Sequence, residues 1–381
     1  MGTAGAGVLK TTGDAKKLNF FHVRNWLGMP LGVWLRLLKD NQWAVSSARI
    51  PQAVRMTVFS LFNTALHWAD RLIYDRPVAR APNPLPPLFI VGHWRTGTTL
   101  LHELMVLDGQ FGYPTTYQVM TPHHFLLTEG FMPAVMNHAL PARRPMDNME
   151  VGFDRPQEDE FGLCNLGLPS PYFKWAFPNR NAGAHSLDLT ELPDTERCRW
   201  IAGMKQFVRR LAFRDRRRQV FKSPTHTARV GVLATMFPGA QFIHIVRDPR
   251  AVFPSTVHTW RQLWDSLGFQ VPTFAGLEEY VFDTFDCMYR AFERDRQTLD
   301  MRQLYELKYE DLIRDPVVEV EKIYTRLGLE GFEKARPKLM EFMAKSKGYR
   351  TNTHDLPADL RQRIANRWHG YIERYGYNFS A

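Results

Sequence analysis

The sequence of 381 residues has few cysteines, no long apolar run and no low-complexity tract. Its three cysteines, Cys164, Cys198 and Cys287, lie far apart without metal-ligand spacing, which favours a reducing compartment over a disulfide framework. The apolar segment 56–69 contains polar residues and is shorter than the roughly 20 residues that a membrane span needs. The first residues, MGTAGAGVLKTTGDAKK, lack the apolar core of a secretory signal. We therefore expect a cytoplasmic protein, with association at a membrane surface left open.

Positive charge is in excess: the sequence has 49 Lys and Arg residues and 39 Asp and Glu residues, for a net charge of +10. This balance favours anionic partners, among them nucleotides, membrane surfaces and acidic glycans. The densest basic run, VRRLAFRDRRR at 208–218, follows an apolar helical pattern and has no interleaved stacking aromatics. We therefore expect no nucleic-acid partner. With 44% hydrophobic residues the chain can bury a sizeable core.

Apolar runs that are typical of strands alternate with helical patterns from residue 86 onward. The runs are LFIVG, VFKSP, QFIHIVRDP and LYELKY. Each precedes a helical pattern, which predicts an α/β fold with a P-loop-like parallel sheet flanked by helices. Before it, 20–74 is typical of helices and 76–87 is a proline-rich linker that ends them. We therefore expect a helical extension with its linker at 1–85 and an α/β domain at 86–381.

Two other regions bear on partners. The segments 26–38 and 56–69 are packing helices in the simpler interpretation; alternatively, they form an apolar surface that touches a membrane, a partner subunit or an apolar acceptor. The stretch of about 112–199 is rich in proline, histidine and aromatics and poor in periodicity. Long insertions of this kind commonly carry specificity, so we expect an acceptor pocket there.

The stretch IVGHWRTGTTLLHEL follows a P-loop pattern except at one position. Gly92 and Gly97 have the P-loop spacing and Thr99 supplies the hydroxyl, but Thr98 stands where the lysine belongs. Transfer from a magnesium-bound nucleoside triphosphate needs that lysine. A helix N-terminus behind the glycines still offers N–H groups and a dipole to one phosphate, and Arg95 can reach an anionic group attached to it.

A second motif, HIVRDPRAVFPSTVHTW, points to another phosphate. Arg247 stands at a strand end and Ser255 follows eight positions later, so a charged fork and a hydroxyl can bind together. Two phosphate sites predict a nucleotide phosphorylated at two places. A sulfuryl group carries less negative charge than a phosphoryl group, so fixed cations can suffice for its transfer without a metal.

These motifs resemble the sulfotransferases that use 3′-phosphoadenylyl sulfate (PAPS). RTGTT resembles their 5′-phosphosulfate loop, IVRDPRAVFPS their 3′-phosphate motif, and YEDLIRDP a further shared segment. The likeness is greatest to bacterial sulfotransferases allied with the tyrosylprotein and glycan enzymes, which also carry segments like RPMDNMEVGFDRPQEDEFGL and KSPTH. The resemblance implies metal-independent, in-line sulfuryl transfer from PAPS to a hydroxyl of a carbohydrate, lipid or small molecule. The product would be 3′-phosphoadenosine 5′-phosphate (PAP).

The resemblance also implies roles for particular residues. By this resemblance, the 5′-phosphosulfate is bound by Arg95, Thr96, Gly97, Thr98 and Thr99. The 3′-phosphate is bound by Arg247 and Ser255, and Lys347 and Arg350 close over it. Lys222 resembles the lysine that many of these enzymes place near the sulfuryl group. A cation there, with Arg95, would neutralise charge that grows as the nucleotide leaves.

The motifs leave open which residue is the general base. Relatives allied with the tyrosylprotein enzymes use a glutamate soon after the loop helix, but the matching stretch PTTYQ has no carboxylate. Two residues of QEDE, Glu160 and Glu158, are the first candidates for the base. His226, in KSPTH, is the next. His123 and His124, in TPHHF, are candidates for acceptor contact, although a structural role is the simpler interpretation.

Two other functions fit parts of the sequence. One is a P-loop kinase or NTPase whose lysine is displaced. The other is a non-catalytic protein that binds anions or a membrane surface through its N-terminal helices. The partners we expect are a small-molecule or glycan acceptor and, through those helices, a peripheral membrane or homo-oligomer contact.

Overall fold

A five-stranded parallel sheet forms the centre of the α/β domain in the computed structural model, which describes residues 25–136, 152–183, 185–345 and 356–378. The strands are β1 Leu88–Val91, β2 Phe111–Gly112, β3 Arg218–Lys222, β4 Gln241–Val246 and β5 Leu304–Lys308. Their order is β2-β3-β1-β4-β5, and every pairing is parallel. The predicted fold class and the four predicted strands are confirmed. Strand β2 was not predicted, because a strand of two residues is too short to show an alternating or apolar pattern.

Helices cover the sheet and build the N-terminal extension. In chain order they are α1 Leu31–Asp40, α2 Ile50–Arg80, α3 Thr98–Val106, α4 Thr116–Met120, α5 Phe125–Thr128, α6 Met132–Met136, α7 Asp159–Asn165, α8 Phe173–Ala176, α9 Asp194–Arg214, α10 Val230–Met236, α11 Pro249–Leu267, α12 Leu277–Asp295, α13 Tyr309–Arg314, α14 Pro316–Leu327, α15 Phe332–Lys345, α16 Ala358–Arg367 and α17 His369–Tyr375. Short 3₁₀ helices occupy Ser47–Arg49, Pro224–Arg229 and Arg296–Thr298.

The strand register places the carboxyl ends of β1 and β3 within one residue of each other, and β4 extends two residues beyond the partner of Val91. Ile90 of β1 lies opposite Lys222 of β3, and Val91 lies opposite His244 of β4. Successive strand residues point to opposite faces, and each face has its own apolar core. One core contains Phe89, Val91, Phe221, Phe242 and Val246, and the other contains Leu88, Ile90, Val220, Ile243 and Ile245. The segments that follow β1, β3 and β4 therefore meet at one edge, where ligands of parallel sheets bind.

The helix α2 ends later than the sequence predicts. The proline-rich segment 76–87 was expected to end the helices, but α2 continues through Pro77 to Arg80. Proline removes one backbone donor without preventing the next turn when other contacts hold the chain. One such contact is the guanidinium of Arg209, which donates to the carbonyl oxygen of Ala79 at 3.1 Å.

Polar side chains fasten α2 to the rest of the protein. Asn63 donates to the carbonyl oxygen of Leu27 at 2.5 Å, and its own side-chain oxygen lies 3.2 Å from Nε2 of His124. The buried carboxylate of Asp70 forms an ion pair with Arg210. Burial lowers the pKa of His124 to about 4, and the nearby positive charges of His67 and Arg210 add to the effect. No helix in the described ranges has the length and apolar character that crossing a bilayer requires.

Acidification should loosen this attachment. Below the ordinary pKa of 6.5, the unfolded chain binds a proton at His124 that the folded chain refuses until about pH 4, so stability falls over this interval. We expect His124 to account for a loss of about 2 kcal/mol between pH 7 and pH 5, measured by denaturant unfolding.

A His124→Gln variant should lack that part of the pH dependence. His369→Gln, at a histidine whose side chain is 73% exposed, serves as the matched control and should behave like the wild type. Equal pH dependence in the His124→Gln variant and the wild type would contradict the assignment.

Candidate active site

The loop between β1 and α3 has a backbone that only glycine allows at two points. Gly92 has a φ of 150° and Gly97 a φ of 99°. A Cβ atom at Gly97 would overlap the ring of Tyr309, so the loop and this ring are in direct contact. The N–H of Gly92 donates to the hydroxyl of Thr227 at 2.7 Å, which ties the loop to the 3₁₀ helix after β3. Arg95 also takes a positive φ, of 70°.

The structure brings the two predicted phosphate-binding groups together. Nε of Arg95 donates to Oγ of Ser255 at 2.9 Å, and Nη1 of Arg247 donates to the carbonyl oxygen of Arg95 at 2.9 Å. The guanidinium of Arg247 also lies 4.3 Å from the ring centre of Tyr309. The hydroxyl of Tyr371 bonds to both the N–H and the carbonyl oxygen of Arg247 at 3.0 Å, which holds the end of β4. The two motifs are therefore directly hydrogen-bonded to each other.

The threonines of the loop differ in their surroundings. The hydroxyl of Thr96 is fully buried and donates to the carbonyl oxygen of His93 at 2.7 Å, so it shapes the loop. Thr98 is also buried, whereas Thr99 is half-buried and its hydroxyl accepts from Nζ of Lys222 at 3.3 Å. The first N–H groups of α3 have no acceptor inside their own helix. Such N–H groups and the helix dipole favour an anion at the N-terminus of a helix.

Lys222 and Glu158 form an ion pair beside the loop. The distance from Nζ of Lys222 to Oε1 of Glu158 is 2.7 Å, and the side chains are 2% and 16% exposed. The other carboxylate oxygen of Glu158 accepts from the hydroxyl of Tyr172 at 2.5 Å. Burial raises the pKa of Tyr172 well above its ordinary value, and the charges of Glu158 and Glu160 raise it further. The phenol therefore stays protonated and remains a donor to Glu158.

Glu160, a first candidate for the general base, points away from this ion pair. Its carboxylate is completely buried and lies 2.7 Å from Nη1 of Arg229. It also accepts from the hydroxyls of Thr225 and Ser170, at 2.9 and 2.5 Å. A carboxylate with these three partners and no contact with solvent has no access to an acceptor. The geometry therefore argues against Glu160 as the base and gives it a structural role.

His226 belongs to the same buried layer. Its Nε2 lies 2.6 Å from Oδ2 of Asp159, and both side chains are 0% exposed. The hydroxyl of Ser223 donates to Oδ1 of Asp159 at 2.7 Å and accepts from the N–H of Glu160 at 3.0 Å. These contacts fasten the start of α7 to the end of β3. They place Glu158, at the N-cap of α7, next to Lys222.

The remaining predicted candidates lie elsewhere. Lys347 and Arg350 fall outside the described residues. Nε2 of His123 donates to the carbonyl oxygen of Asn165 at 2.9 Å, and the His123 ring packs at 4.6 Å against that of His67. Burial lowers the pKa of His123 to about 3, and neighbouring His67 lowers it further. The surroundings of His123 fit the structural interpretation.

Three tyrosines at the site received no role from the sequence. Tyr309 supports the loop and Arg247, Tyr371 holds the end of β4, and Tyr172 contacts Glu158. Only Tyr309 had a visible signal, because it begins the segment YEDLIRDP. Tyr172 and Tyr371 come from distant segments without a motif.

A cavity of about 590 Å³ lies near the amino end of β3, where Gln219 lines it. Most of its wall comes from the predicted acceptor-side insertion, and the lining residues are Tyr113, Thr115, Tyr117, Gln118, Glu129, Pro133, Phe153, Asp154, Leu211, Arg214, Asp215, Arg217 and Gln219. An isolated bridge between Thr115 and Pro156 connects this wall to the segment that carries Glu158.

The chain belongs to the sulfotransferase family, since the sequence model described as "Sulfotransferase family" matches residues 86–334. It is 43% identical over 354 residues to the omega-hydroxy-beta-dihydromenaquinone-9 sulfotransferase Stf3 of Mycobacterium bovis, covering 93% of this chain and 91% of that protein. It is also 25% identical over 301 residues to carbohydrate sulfotransferase 4 of Mus musculus, covering 73% of this chain and 72% of the mouse protein. The protein is thus a sulfotransferase, as expected, and the kinase and non-catalytic alternatives are not supported.

Solved structures share the fold. Sulfotransferase STF9 from Mycobacterium avium superposes with a TM-score of 0.69 at 18% identity, covering 91% of this chain and 96% of that chain. Sulfotransferase STF1 from Mycobacterium tuberculosis H37Rv gives a TM-score of 0.61 at 19% identity, covering 89% and 91%. These similarities confirm the sheet with flanking helices.

Replacing Gly97 by alanine should destabilise the protein. The added Cβ meets the ring of Tyr309 at a backbone φ that L-residues avoid, so we expect a loss of roughly 1–3 kcal/mol in the free energy of unfolding. Gly370→Ala is the control, because a Cβ there meets nothing within 4 Å. Equal stabilities of the two variants would contradict the described contact between Gly97 and Tyr309.

Proposed function

We propose that this sulfotransferase transfers the sulfuryl group of PAPS to a hydroxyl of a lipid acceptor. The observation that carries the acceptor class is the 43% identity, over 93% of this chain, to a protein named for an omega-hydroxylated dihydromenaquinone. A carbohydrate acceptor rests on the weaker similarity of 25% to the mouse protein. The expected cytoplasmic location and a contact through the N-terminal helices are part of the same proposal.

The residues of the site fit PAPS in their charge and arrangement. Arg247, Ser255 and Arg95 form one cluster that suits the 3′-phosphate. The N-terminus of α3 and the ammonium of Lys222, 3.3 Å from the hydroxyl of Thr99, suit the 5′-phosphosulfate. Arg95 contacts Ser255 and lies within the loop, so it joins the two groups. Because these cations are fixed by the fold, we propose that transfer needs no metal.

We propose Glu158 as the general base. Its carboxylate is 16% exposed and is the one nearest to Lys222 among the candidates drawn from QEDE. PAPS, when bound, supplies the sulfuryl group; Glu158 takes the proton of the attacking hydroxyl. Lys222 stands between the loop and Glu158, so its charge opposes the negative charge that develops on the nucleotide side. Tyr172 orients the carboxylate through its hydrogen bond.

The acceptor is tested by mass spectrometry with unlabelled extracts. The protein is incubated with PAPS and either a membrane-lipid extract or a glycan mixture, and products that gain a sulfate are identified. Sulfation of a hydroxylated lipid supports the proposal. Sulfation confined to glycans would overturn the acceptor class while leaving the sulfotransferase assignment intact.

Removal of the Arg247 guanidinium should weaken PAP binding. We expect Arg247→Ala to cost about 1.5–3 kcal/mol of binding free energy, the range for hydrogen bonds to charged groups, measured by titration calorimetry. Arg250→Ala is the matched control, because Arg250 is exposed and bonds to Asp248 of its own turn. Wild-type affinity in the Arg247 variant would remove this residue from the nucleotide site.

Two neighbouring substitutions separate catalysis from folding. Glu158→Gln should slow turnover by roughly 10²–10⁴ with PAP affinity nearly unchanged. Glu160→Gln should instead lower the free energy of unfolding by roughly 3–5 kcal/mol, because Arg229 is left without its buried counter-charge. If Glu158→Gln retained full turnover, Glu158 would not be the base.

A further inference from the structure

The helix α2 is apolar on its outer side. Six of its exposed apolar residues follow one another at intervals of three, four or seven, which places them on one side of the helix. This apolar stripe consists of Ile50, Val54, Val58, Leu61, Trp68 and Leu72. Leu72 is 87% exposed and Leu61 is 53% exposed. Ala65, also exposed, fills the interval between Leu61 and Trp68 without adding charge.

The inner side of α2 buries three polar residues beside the apolar Met56 and Val78, whereas a surface helix usually turns its apolar side inward. Ser60, Asn63 and Asp70 are buried there, and Asn63 and Asp70 are bound to residues outside the helix. The attachment to the protein therefore combines hydrogen bonds and an ion pair with the packing of Met56 and Val78, and it leaves the apolar stripe outward. On a surface that contacts only water, the outward apolar side chains would contribute no stability, because they remain hydrated.

The stripe is long and continuous. At a rise of about 1.5 Å per residue, the segment from Ile50 to Ile73 is about 36 Å long. Phe62 and Ile73, both 51% exposed, widen it on one side. Single exposed apolar residues need no explanation, but a contiguous patch marks an interaction surface. Nothing in the described part of the chain covers these side chains.

The charges at the carboxyl end of the stripe are mainly basic. Arg76 and Arg80 are exposed one and two turns beyond Leu72, on the same side of α2. The guanidinium of Arg71 lies 5.3 Å from the ring centre of Trp68, and Arg71 pairs with Asp75. Arginine and tryptophan flanking an apolar helix face are suited to a bilayer surface, where the charged groups reach phosphates while the stems stay in apolar surroundings.

We propose that α2 docks on the surface of an anionic bilayer. The apolar stripe lies at the boundary between headgroups and acyl chains, and the arginines bind lipid phosphates. The net charge of +10 adds a general attraction to an anionic surface. The inference goes beyond sulfuryl transfer and does not depend on the identity of the acceptor.

The test uses flotation of the full-length protein with vesicles. We expect it to float with vesicles of phosphatidylcholine and phosphatidylglycerol, and to bind at least about tenfold less to phosphatidylcholine alone or in high salt. Leu61→Glu and Leu72→Glu should each reduce binding to the anionic vesicles at least about tenfold. Arg76→Glu should weaken binding and its salt dependence together.

The matched control is Met301→Glu, at a methionine that is 75% exposed outside α2, and it should bind vesicles like the wild type. PAP affinity, measured on each variant, reports whether the nucleotide site is intact. It also separates this inference from the proposed function, because Arg247→Ala should weaken PAP binding and leave flotation unchanged.

Three results would overturn the inference. The first is no flotation of the wild type with anionic vesicles. The second is flotation that the Leu61 and Leu72 variants retain in full. The third is a dimer in light scattering that these variants convert to a monomer while vesicles do not bind, since the stripe would then be covered by a second copy of the chain.

Discussion

The position of one ammonium group governs the site. Nζ of Lys222 lies 2.7 Å from the carboxylate of Glu158 and 3.3 Å from the hydroxyl of Thr99, so one cation contacts both the start of α3 and the segment that precedes α7. This contact depends on the parallel register that sets Lys222 opposite Ile90 at the carboxyl end of the sheet. A shift of one residue would turn the lysine to the other face of the sheet. The group therefore joins the two halves of the site because β1 and β3 are paired as they are.

Behind this ion pair lies a layer of buried charges. The pairs Asp159–His226 and Glu160–Arg229 are 0% exposed, and hydroxyls occupy further lone pairs of the carboxylates. Buried charges are tolerated when they are paired and hydrogen-bonded, and such pairs contribute more to orientation than to net stability. Their consequence is to hold α7 against β3. This places the N-cap residue Glu158 next to Lys222.

Both the exposed apolar side of α2 and the proposed lipid acceptor are suited to a membrane surface. A sulfotransferase that acts on a lipid must meet an acceptor that partitions into bilayers, and α2 offers an apolar side with arginines at its end. The polar attachment through Asn63 and Asp70 leaves this side outward. The two proposals rest on different observations, one on sequence similarity and one on the orientation of α2, and their agreement gives a coherent picture of an enzyme working at a membrane surface.

Local spacing in the sequence was enough to predict the alternating strands and helices and the glycine-containing loop between β1 and α3, because each depends on residues close together in the chain. The tertiary structure decided which carboxylate of QEDE faces the site. Glu158 and Glu160 are two positions apart, but Glu158 contacts Lys222 and Tyr172. Glu160 instead contacts Arg229, Thr225 and Ser170. The tertiary structure also decided which side of α2 faces outward. An apolar stripe in a sequence normally predicts burial, and only the partners of the polar side reveal that this helix is turned the other way.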